Sequence, residues 1–378
     1  MTNEKLQPVM DAAEKPAEAG IALCLSGGGY RAMMFHAGCL LRLNQLGLLG
    51  KLNRISSVSG GSITAGVLGM NWNDLGIVAG SASPKFDDLV IKPLRKMAAT
   101  TIDEGAILGG LFLSGSISDH VTDHYSKILF GSRTLQDLPD EPRFVINATN
   151  VQTGSLLRMS KPYIADYRIG QILKPTLPLA RAVAASSAFP PVLSPCEIKL
   201  DKLGMKFEPG PEELNTSPYN TDLVLSDGGV YDNLGLETAW KRYDTILVSD
   251  GGGHFAPEPD PHHDWARHAY RVFDLVDSQV RALRSRQIIG LFEAGDRKGS
   301  YWGIRQGIDT FKTPDALPCP LPQTTVLAAT ATRLKAMDNQ LQERLMNWGY
   351  AICDASIRRY FDTTLPAPVA FPYPASGL

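Results

Sequence analysis

Apolar and polar stretches alternate regularly at the start of the chain and predict a succession of strands and helices. Residues 20–25 (GIALCL) form a short apolar run typical of a buried strand, and apolar residues recur at helical spacing over residues 31–48. A second strand is predicted over residues 54–58, followed at once by a helix of small side chains over residues 60–70. The chain thus opens as strand, glycine-rich turn, helix, strand, tight turn and helix.

The second half of the chain continues this alternation. Strands are predicted at residues 144–149, 154–160, 222–226 and 245–249, the first two as a pair, and helices at 177–189, around 234–242, at 264–290 and at 331–360. Residues 73–140 have no clean period, and we expect them to form helices and loops inserted above the sheet. Strands that alternate with helices predict a layered α/β fold with a largely parallel sheet.

The chain contains no internal repeat and no linker that would divide it, so we expect one domain over residues 20–363. Residues 1–19 form a polar N-terminal segment without the apolar core of a secretory signal, and residues 364–378 form a proline-rich tail expected to be irregular. The longest apolar stretch, residues 105–113, has about half of the ~20 residues that a membrane-spanning helix needs. We therefore expect a cytoplasmic protein without a transmembrane helix.

Composition narrows the range of partners. Hydrophobic content of 44% and charged content of 20% over 378 residues are typical of globular proteins, and the net charge of −2 gives no basic surface for nucleic acid. The five cysteines are odd in number and include no C-x-x-C pair, which favours buried, reduced thiols over disulfides or a zinc site. We expect no metal and no cofactor.

A glycine loop, Ser26-Gly27-Gly28-Gly29, joins the first predicted strand to the first helix. Consecutive glycines allow backbone N–H groups to face outward, and the helix that follows adds the positive end of its dipole, so the loop can stabilise an anion. In acyl transfer that anion is the tetrahedral oxyanion, and one donor contributes about 10²–10³ in rate. A tight turn without chemistry is the alternative that the loop alone leaves open.

The same loop also matches G-x-G-x-x-A, the dinucleotide-binding fingerprint, over residues 27–32. That fold requires a carboxylate about 20 residues further on, where it holds the ribose hydroxyl. Between Glu18 and Asp74 the chain has no Asp or Glu, and the second strand ends in Ser-Val-Ser-Gly-Gly instead. The sequence therefore disfavours a dinucleotide site.

The turn Ser57-Val58-Ser59-Gly60-Gly61 closes the second strand and opens a helix, as a nucleophile elbow does. Such a turn requires small neighbours, and the helix N-terminus favours the developing alkoxide of Ser59. Ser57 stands where the pattern G-x-S-x-G has its first glycine. We expect structural roles for the competing serines, which are Ser26, Ser56, Ser57 and Ser62, while an ordinary helix cap is the alternative for Ser59 itself.

Two aspartates are candidates for the base that a serine nucleophile needs. Asp227 follows the strand DLVLS and precedes Gly228-Gly229, and Asp250 follows the strand TILVS and precedes three glycines. A turn aspartate that bonds its own backbone is the alternative for each, and the residues do not separate the two.

A histidine-containing triad is also possible. The chain order Ser59, Asp227, His254 matches that of α/β-hydrolases, with His262, His263 or His268 as substitutes for the third member. His36 lies inside the first predicted helix, where we expect a packed side chain or a capping hydrogen bond rather than a catalytic base.

Three motifs resemble those of patatin-like phospholipases. They are Ser-Gly-Gly-Gly-Tyr-Arg-Ala (26–32), Ser-Val-Ser-Gly-Gly (57–61) and Asp-Gly-Gly (227–229), in that order, and Ala-Ser-Ser-Ala-Phe-Pro-Pro (185–191) resembles a further block of the family. The first motif is also similar to the corresponding loop of mammalian cytosolic phospholipase A2. The resemblance spans roughly residues 20–255 and implies a three-layer α/β/α fold with a central, mainly parallel sheet.

The resemblance implies a Ser–Asp dyad without histidine that hydrolyses acyl esters of phospholipids or other lipids through an acyl-enzyme. By position, Ser59 is the nucleophile and Asp227 is the base, which favours Asp227 over Asp250. The amides of Gly27, Gly28 and Gly29 form the oxyanion hole.

The resemblance also suggests how the protein binds its lipid substrate and how its activity is regulated. Arg31 matches a basic residue that holds the loop or a head-group phosphate, while Ala32 stands where many patatins have glycine. Peripheral contact with a membrane is expected, with residues 107–113 as a candidate lid, while a short buried helix or strand is the alternative for that segment. Bacterial relatives include membrane-degrading effectors with nucleotide activators, so a small-molecule nucleotide activator is a further expectation, although no residue here identifies such regulation.

Overall fold

The computed structural model describes residues 17–102, 117–209, 214–253 and 255–378, and its strands there form a single eleven-stranded sheet. The strands are β1 (Glu18–Leu25), β2 (Arg54–Ser57), β3 (Arg143–Asn150), β4 (Ser155–Met159), β5 (Tyr163–Asp166), β6 (Gly170–Leu173), β7 (Cys196–Lys199), β8 (Glu208–Pro209), β9 (Asp222–Asp227), β10 (Tyr243–Asp250) and β11 (Lys298–Gly303). The α-helices are α1 (Gly29–Gln45), α2 (Gly60–Met70), α3 (Trp72–Leu75), α4 (Lys92–Ala98), α5 (Ile117–Tyr125), α6 (Leu179–Ser186), α7 (Gly229–Asp232), α8 (Glu237–Trp240), α9 (Trp265–Ala294), α10 (Leu321–Ala328) and α11 (Asn339–Tyr360).

The sheet has a parallel part and an antiparallel part. Strands β11, β10, β1, β2 and β3 are neighbours in that order and pair in parallel. Beyond β3 the order continues as β4, β5, β6 and β8 with antiparallel pairing. The predicted α/β fold with a central, largely parallel sheet is confirmed, as is the pairing of the strands predicted at 144–149 and 154–160.

Strand β3 brings two strand ends face to face. Its first residues, 143–146, pair in parallel with β2, and residues 148–150 pair with β9 in the antiparallel direction. Since β4 occupies the other edge of β3, both β2 and β9 lie on the same edge. The two strands therefore run toward each other, and their carboxyl ends meet.

Helices cover both faces of the sheet. Leu23 and Leu25 of β1 belong to the large core that also contains α1 and α11, while Ala22 and Cys24 belong to a smaller core with Ile288 of α9. Successive side chains of a strand point to opposite faces, so this division of β1 separates the two helical layers.

Some elements differ from the sequence prediction. Strands β5, β6, β7, β8 and β11 were not predicted. The helix expected from residue 331 begins only at Asn339, because the Asp338 carboxylate caps it by accepting a hydrogen bond from the Leu341 amide at 2.8 Å. Residues 361–378 contain no helix or strand, but they pack on α11, where the Asn347 amide group donates to the carbonyls of Tyr373 and Gly377.

The five cysteines are all buried and unpaired by disulfides, as expected. In the ranges that the structure describes, every helix is too short or too polar to cross a bilayer. Residues 107–113, the candidate lid, lie outside the described residues.

Candidate active site

Ser59 lies in the turn between β2 and α2 with a strained backbone. Its φ of 51° and ψ of −120° belong to a region that non-glycine residues rarely adopt, at a cost of about 1–3 kcal/mol. The residue is 7% exposed, and its amide donates to Ser186 Oγ at 3.0 Å. Strain of this kind, directly after a strand and before a helix, is what a nucleophile elbow requires.

Small neighbours permit this turn. A Cβ at Gly60 would lie 2.2 Å from the carbonyl oxygen of Gly29, so only glycine lets the elbow touch the glycine loop. Ser57, which replaces the usual glycine, accepts a hydrogen bond from Ser62 Oγ at 2.9 Å, and Ser62 also contacts Ser186 at 2.9 Å. The departure at Ser57 is therefore accommodated by a buried network of hydroxyl groups.

Asp227 is the last residue of β9 and is 1% exposed. Its Oδ1 accepts a hydrogen bond from the Gly229 amide at 2.7 Å. Burial raises the pKa of Asp227 to about 7, although the Gly229 amide and the Ser59 hydroxyl favour the charged carboxylate. A carboxylate with a pKa near neutrality is suited to accept a proton.

Ser59 and Asp227 lie together without an ordinary hydrogen bond. The Ser59 hydroxyl is near enough to lower the pKa of Asp227, yet among the described residues Asp227 Oδ2 has no hydrogen-bond partner of normal geometry. The contact is therefore longer or less well aligned than a hydrogen bond, as is common for catalytic groups before substrate binds.

One short segment supports both residues. The amide of Asp227 donates to the carbonyl of Ala188 at 2.9 Å, and the amide of Gly228 donates to that of Ser186 at 3.2 Å. Ser186 Oγ in turn bonds the Ser59 amide and the carbonyl of Asn147, the latter at 2.6 Å. Ser186 was missed as a site residue, and the only signal for it was its place in the Ala-Ser-Ser-Ala-Phe-Pro-Pro block.

Asp250, the other carboxylate considered, has both oxygens engaged. Its Oδ2 accepts from the Tyr301 hydroxyl at 2.7 Å, and its Oδ1 accepts from the Gly252 amide at 2.8 Å. Asp227 makes the same kind of turn bond to the Gly229 amide, but its Oδ2 has no partner among the described residues, whereas Oδ2 of Asp250 does. The structure thus brings Asp227, and not Asp250, to Ser59.

The histidines differ in position. His36 is fully buried on α1, where its Nδ1 bonds Ser249 Oγ at 2.8 Å and its Nε2 bonds the carbonyl of Ser26 at 3.0 Å, so it is packed as expected. His254 lies outside the described residues. The other three candidates, His262, His263 and His268, are exposed, and no described contact joins them to the dyad. Within the described ranges, no group of three His, Cys, Asp or Glu side chains could hold a metal ion.

The glycine loop lies against the elbow, since a Cβ at Gly27 would be 3.2 Å from Ser59 Cβ. The amide of Gly27 donates to the carbonyl of Asn233 at 3.0 Å, and the amide of Tyr30 donates to the carbonyl of Arg333, in the segment before α11, at 3.1 Å. Between them, the amides of Gly28 and Gly29 have no backbone acceptor outside α1 in the described part of the chain. The positive φ of both residues, 141° and 60°, turns the backbone there.

Arg31 is buried behind this loop, with 2% exposure. Its Nε donates to the carbonyl of Gly251 at 3.2 Å and its Nη1 to that of Thr330, while Nη2 has no partner among the described residues. Burial lowers the pKa of Arg31 to about 10, so the side chain stays charged near neutral pH. Two of its nitrogens thus bond segments outside the glycine loop, at Gly251 and Thr330, while Nη2 lies 3.0 Å from the position that a Cβ of Gly28 would take.

Two further residues border the site and were missed by sequence reasoning. The backbone carbonyl of Asn233 accepts a hydrogen bond from the Gly27 amide, and the Asn233 side chain lies near enough to Asp277 of α9 to lower the pKa of that carboxyl group, although burial raises it more. The negative charge of Asp277 contributes to raising the pKa of Asp227. No periodic signal marks either residue, because their contact depends on how α9 packs over the sheet.

Comparisons with known proteins bear on this geometry. The family model described as patatin-like phospholipase matches residues 23–240. Among solved structures, human GIVD cytosolic phospholipase A2 in complex with methyl gamma-linolenyl fluorophosphonate is 13% identical with a TM-score of 0.50, covering 89% of this chain and 57% of its own. Another structure of human GIVD cytosolic phospholipase A2 is 13% identical with a TM-score of 0.48, and the match covers 91% of this chain and 63% of that chain.

A bacterial structure is also similar. VipD from Legionella pneumophila is 14% identical with a TM-score of 0.34, covering 89% of this chain and 66% of its own. The chain therefore spans less than two thirds of the length of these structures. No curated protein matches the sequence.

Proposed function

The chain belongs to the patatin-like phospholipase family, and we propose that it is a serine lipid acyl-hydrolase that cleaves acyl esters of phospholipids or lysophospholipids. The family model covers more than half of the chain's 378 residues and supports the lipid substrate class. The observation that carries the proposal is the meeting of the strained Ser59 with the buried Asp227 at the facing ends of β2 and β9.

In the proposed mechanism, Asp227 accepts the proton of Ser59 as Oγ attacks the acyl carbonyl carbon. The tetrahedral intermediate collapses to an acyl-enzyme, and the departing alcohol takes the proton from Asp227. Water then attacks the acyl group, gives a proton to Asp227, and releases the fatty acid as Ser59 regains its proton. A pKa of about 7 lets Asp227 both accept and return the proton near neutral pH.

The oxyanion would be bound by the amides of Gly28 and Gly29. These two lie next to the elbow and lack other backbone acceptors in the described part of the chain, whereas the Gly27 amide already donates to Asn233. The proposal thus narrows the expected set of three glycines to two donors, with Gly27 acting as the contact to Ser59.

The second part of the proposal is peripheral contact with a lipid surface through α9. This helix carries exposed apolar side chains along its length, which are Trp265, Tyr270, Val272, Leu275, Val276 and Leu283. Phe273 of α9 packs edge-on against Phe189, with 5.6 Å between the ring centroids. Phe189 directly follows Ala188, whose carbonyl accepts the hydrogen bond from the Asp227 amide. Apolar side chains beside a lipid-hydrolysing site suit contact with a bilayer, from which the substrate must be drawn.

The test of catalysis uses purified protein with phospholipids, lysophospholipids and short-chain p-nitrophenyl esters. Ser59→Ala and Asp227→Asn should each abolish hydrolysis while circular dichroism stays unchanged, and the double variant should be little worse. Full activity of Ser59→Ala would end the proposal. Loss of activity in His254→Ala would instead favour a Ser59–Asp227–His254 triad, and no ester turnover by the folded protein would favour a non-catalytic lipid- or nucleotide-binding module.

The test of membrane contact replaces two exposed valines of α9. Val272→Ser with Val276→Ser should weaken binding to phosphatidylcholine vesicles and slow vesicle hydrolysis, yet spare a soluble short-chain ester. Val78→Ser is the matched control, because Val78 is 63% exposed in a loop outside α9. Equal vesicle binding by all three proteins would remove α9 from the proposal.

A further inference from the structure

His36 is a fully buried histidine of α1 whose side chain reaches back to the start of the glycine loop. Its Nε2 lies 3.0 Å from the carbonyl oxygen of Ser26, the first residue of that loop. Because a carbonyl oxygen can only accept, Nε2 carries a proton and donates the hydrogen bond. Side chains of a helix lean toward its N-terminus, so a residue two turns into α1 can reach the segment before it. His36 is therefore tied to the glycine loop as well as packed in the core.

The same carbonyl oxygen of Ser26 also contacts the nucleophile turn. The amide of Gly61, two residues after Ser59, donates to it at 3.1 Å. A Cβ at Gly61 would lie 2.7 Å from this oxygen, so a side chain there would force the two segments apart. One oxygen atom thus joins α1, the glycine loop and the start of α2.

Further hydrogen bonds fix the peptide units that follow this oxygen. The Gly27 amide, in the same peptide unit as the Ser26 carbonyl, donates to the carbonyl of Asn233 at 3.0 Å. The Ser26 hydroxyl donates to the carbonyl of Gly27 at 3.1 Å and accepts from the Gly251 amide at 2.8 Å. The first peptide unit of the loop is therefore held at both ends, and the second, whose amide is that of Gly28, is held at its carbonyl.

The other ring nitrogen of His36 is held at the end of β10. Its Nδ1 forms a hydrogen bond with Ser249 Oγ at 2.8 Å. The backbone carbonyl of Ser249 also accepts from the Ser26 amide at 3.1 Å. A hydrogen bond at one ring nitrogen sets the role of the other, so Ser249 keeps Nε2 of His36 directed at Ser26.

We propose that His36 is a positioning residue for the hydrolysis of acyl esters. Through the Ser26 carbonyl it sets the glycine loop against the nucleophile turn, so that the amides of Gly28 and Gly29 face the oxyanion. This inference rests on the function proposed above. An oxyanion hole is effective because its donors are in place before charge develops. His36 lies about 10 Å along α1 from Gly29, so it acts through the loop and not on the substrate.

A matched pair of amide side chains tests the contact with Ser26. His36→Gln places an amide nitrogen near the position of Nε2 and can still donate to Ser26, whereas His36→Asn is shorter and reaches only Ser249. We expect His36→Asn to lower kcat on a soluble p-nitrophenyl ester roughly tenfold with KM within about twofold, because the loop amides act mainly in the transition state. His36→Gln should restore kcat to within about threefold of the parent value.

A trifluoromethyl ketone with a short alkyl chain gives a second readout, because addition of Ser59 to it forms a tetrahedral oxyanion. Its affinity should fall in His36→Asn by the same factor as kcat/KM and recover in His36→Gln. Ser83→Ala is the control for loss of a buried hydrogen bond, since Ser83 Oγ donates to the carbonyl of Leu75 at 2.6 Å, beside Asn44 near the far end of α1. This control should lower stability and leave kcat unchanged.

Hydrogen exchange separates failure of this inference from failure of the proposed function. Exchange over residues 24–33, measured by mass spectrometry, should be faster in His36→Asn than in His36→Gln or the parent, whether or not an ester is cleaved. If the parent shows no hydrolysis that depends on Ser59, the proposed function is wrong, and the exchange comparison alone decides whether His36 positions the loop. If His36→Asn does not fold, His36→Phe, which keeps the ring volume, takes its place. Equal kcat, inhibitor affinity and loop exchange in the two variants would show that the contact with Ser26 does not position the loop, and the inference would be wrong.

Discussion

The ionisation of Asp227 should control both the rate of hydrolysis and the stability of the protein. The carboxyl group is buried, and its pKa is raised to about 7. As a base it must be ionised, so activity should rise with pH through this value. With a pKa near 7, about 10% of the protein is active at pH 6 and about 90% at pH 8, and kcat/KM should rise roughly tenfold per pH unit below pH 6.

Stability should change in the opposite direction. Because the pKa of Asp227 in the folded protein lies above its ordinary value of 3.8, the folded state retains a proton that the unfolded chain releases. The stability that this proton contributes is fully present below pH 3.8 and is lost as pH rises to about 7. Asp227→Asn carries no such charge, so its advantage over the parent in free energy of unfolding should grow by roughly 2–3 kcal/mol from pH 5 to pH 8.

The assay combines kcat/KM on a soluble ester with urea unfolding, both from pH 5 to pH 8. Ser59→Ala is the matched control, because it is equally inactive but keeps the titrating carboxyl group. Its free energy of unfolding should follow that of the parent with pH, while that of Asp227→Asn should not. A flat pH–rate profile, or parallel unfolding profiles for the two variants, would refute the assignment of Asp227 as the buried base.

Three other outcomes follow from the geometry. Ser59→Gly should be as inactive as Ser59→Ala but about 1 kcal/mol more stable in urea unfolding, since glycine accepts a φ of 51° without strain. Gly29→Ala should lower kcat about 10²-fold, because its Cβ would lie 2.8 Å from the carbonyl oxygen of Arg333 and the loop must shift to admit it, whereas Gly76→Ala, at an open position with the same φ of 60°, should affect stability alone. Arg31→Lys should impair phospholipid cleavage more than p-nitrophenyl ester cleavage if Arg31 binds head groups, and equally if it only shapes the loop.

Local sequence predicted the parts of the site that depend on neighbouring residues. Strand β1, the glycine loop, helix α1 and the turn at Ser59 could be recognised because the spacing of apolar residues and the position of glycines are local properties of the sequence. The departure at Ser57 could be noted but not explained, since the hydroxyl network that accommodates it runs through Ser62 to Ser186, which lies more than a hundred residues further along the chain.

The choice between Asp227 and Asp250 as the base could not be made from local sequence. Both follow strands and precede glycines, so their residue patterns are nearly identical. Only the pairing of β9 with β3, in the direction opposite to β2, turns the end of β9 toward Ser59. Family resemblance favoured Asp227, but the physical reason lies in strand direction, which no single segment encodes.

The sequence by itself thus determined the kinds of element, the order of the motifs and the residue types available for acyl transfer. The tertiary structure decided which of those groups meet and which amides of the glycine loop lack a backbone acceptor in the described part of the chain. The reason is that alternation and helical spacing are properties of a few consecutive residues. Strand order, direction and register depend on contacts between segments far apart in the chain, and these place one side chain against another.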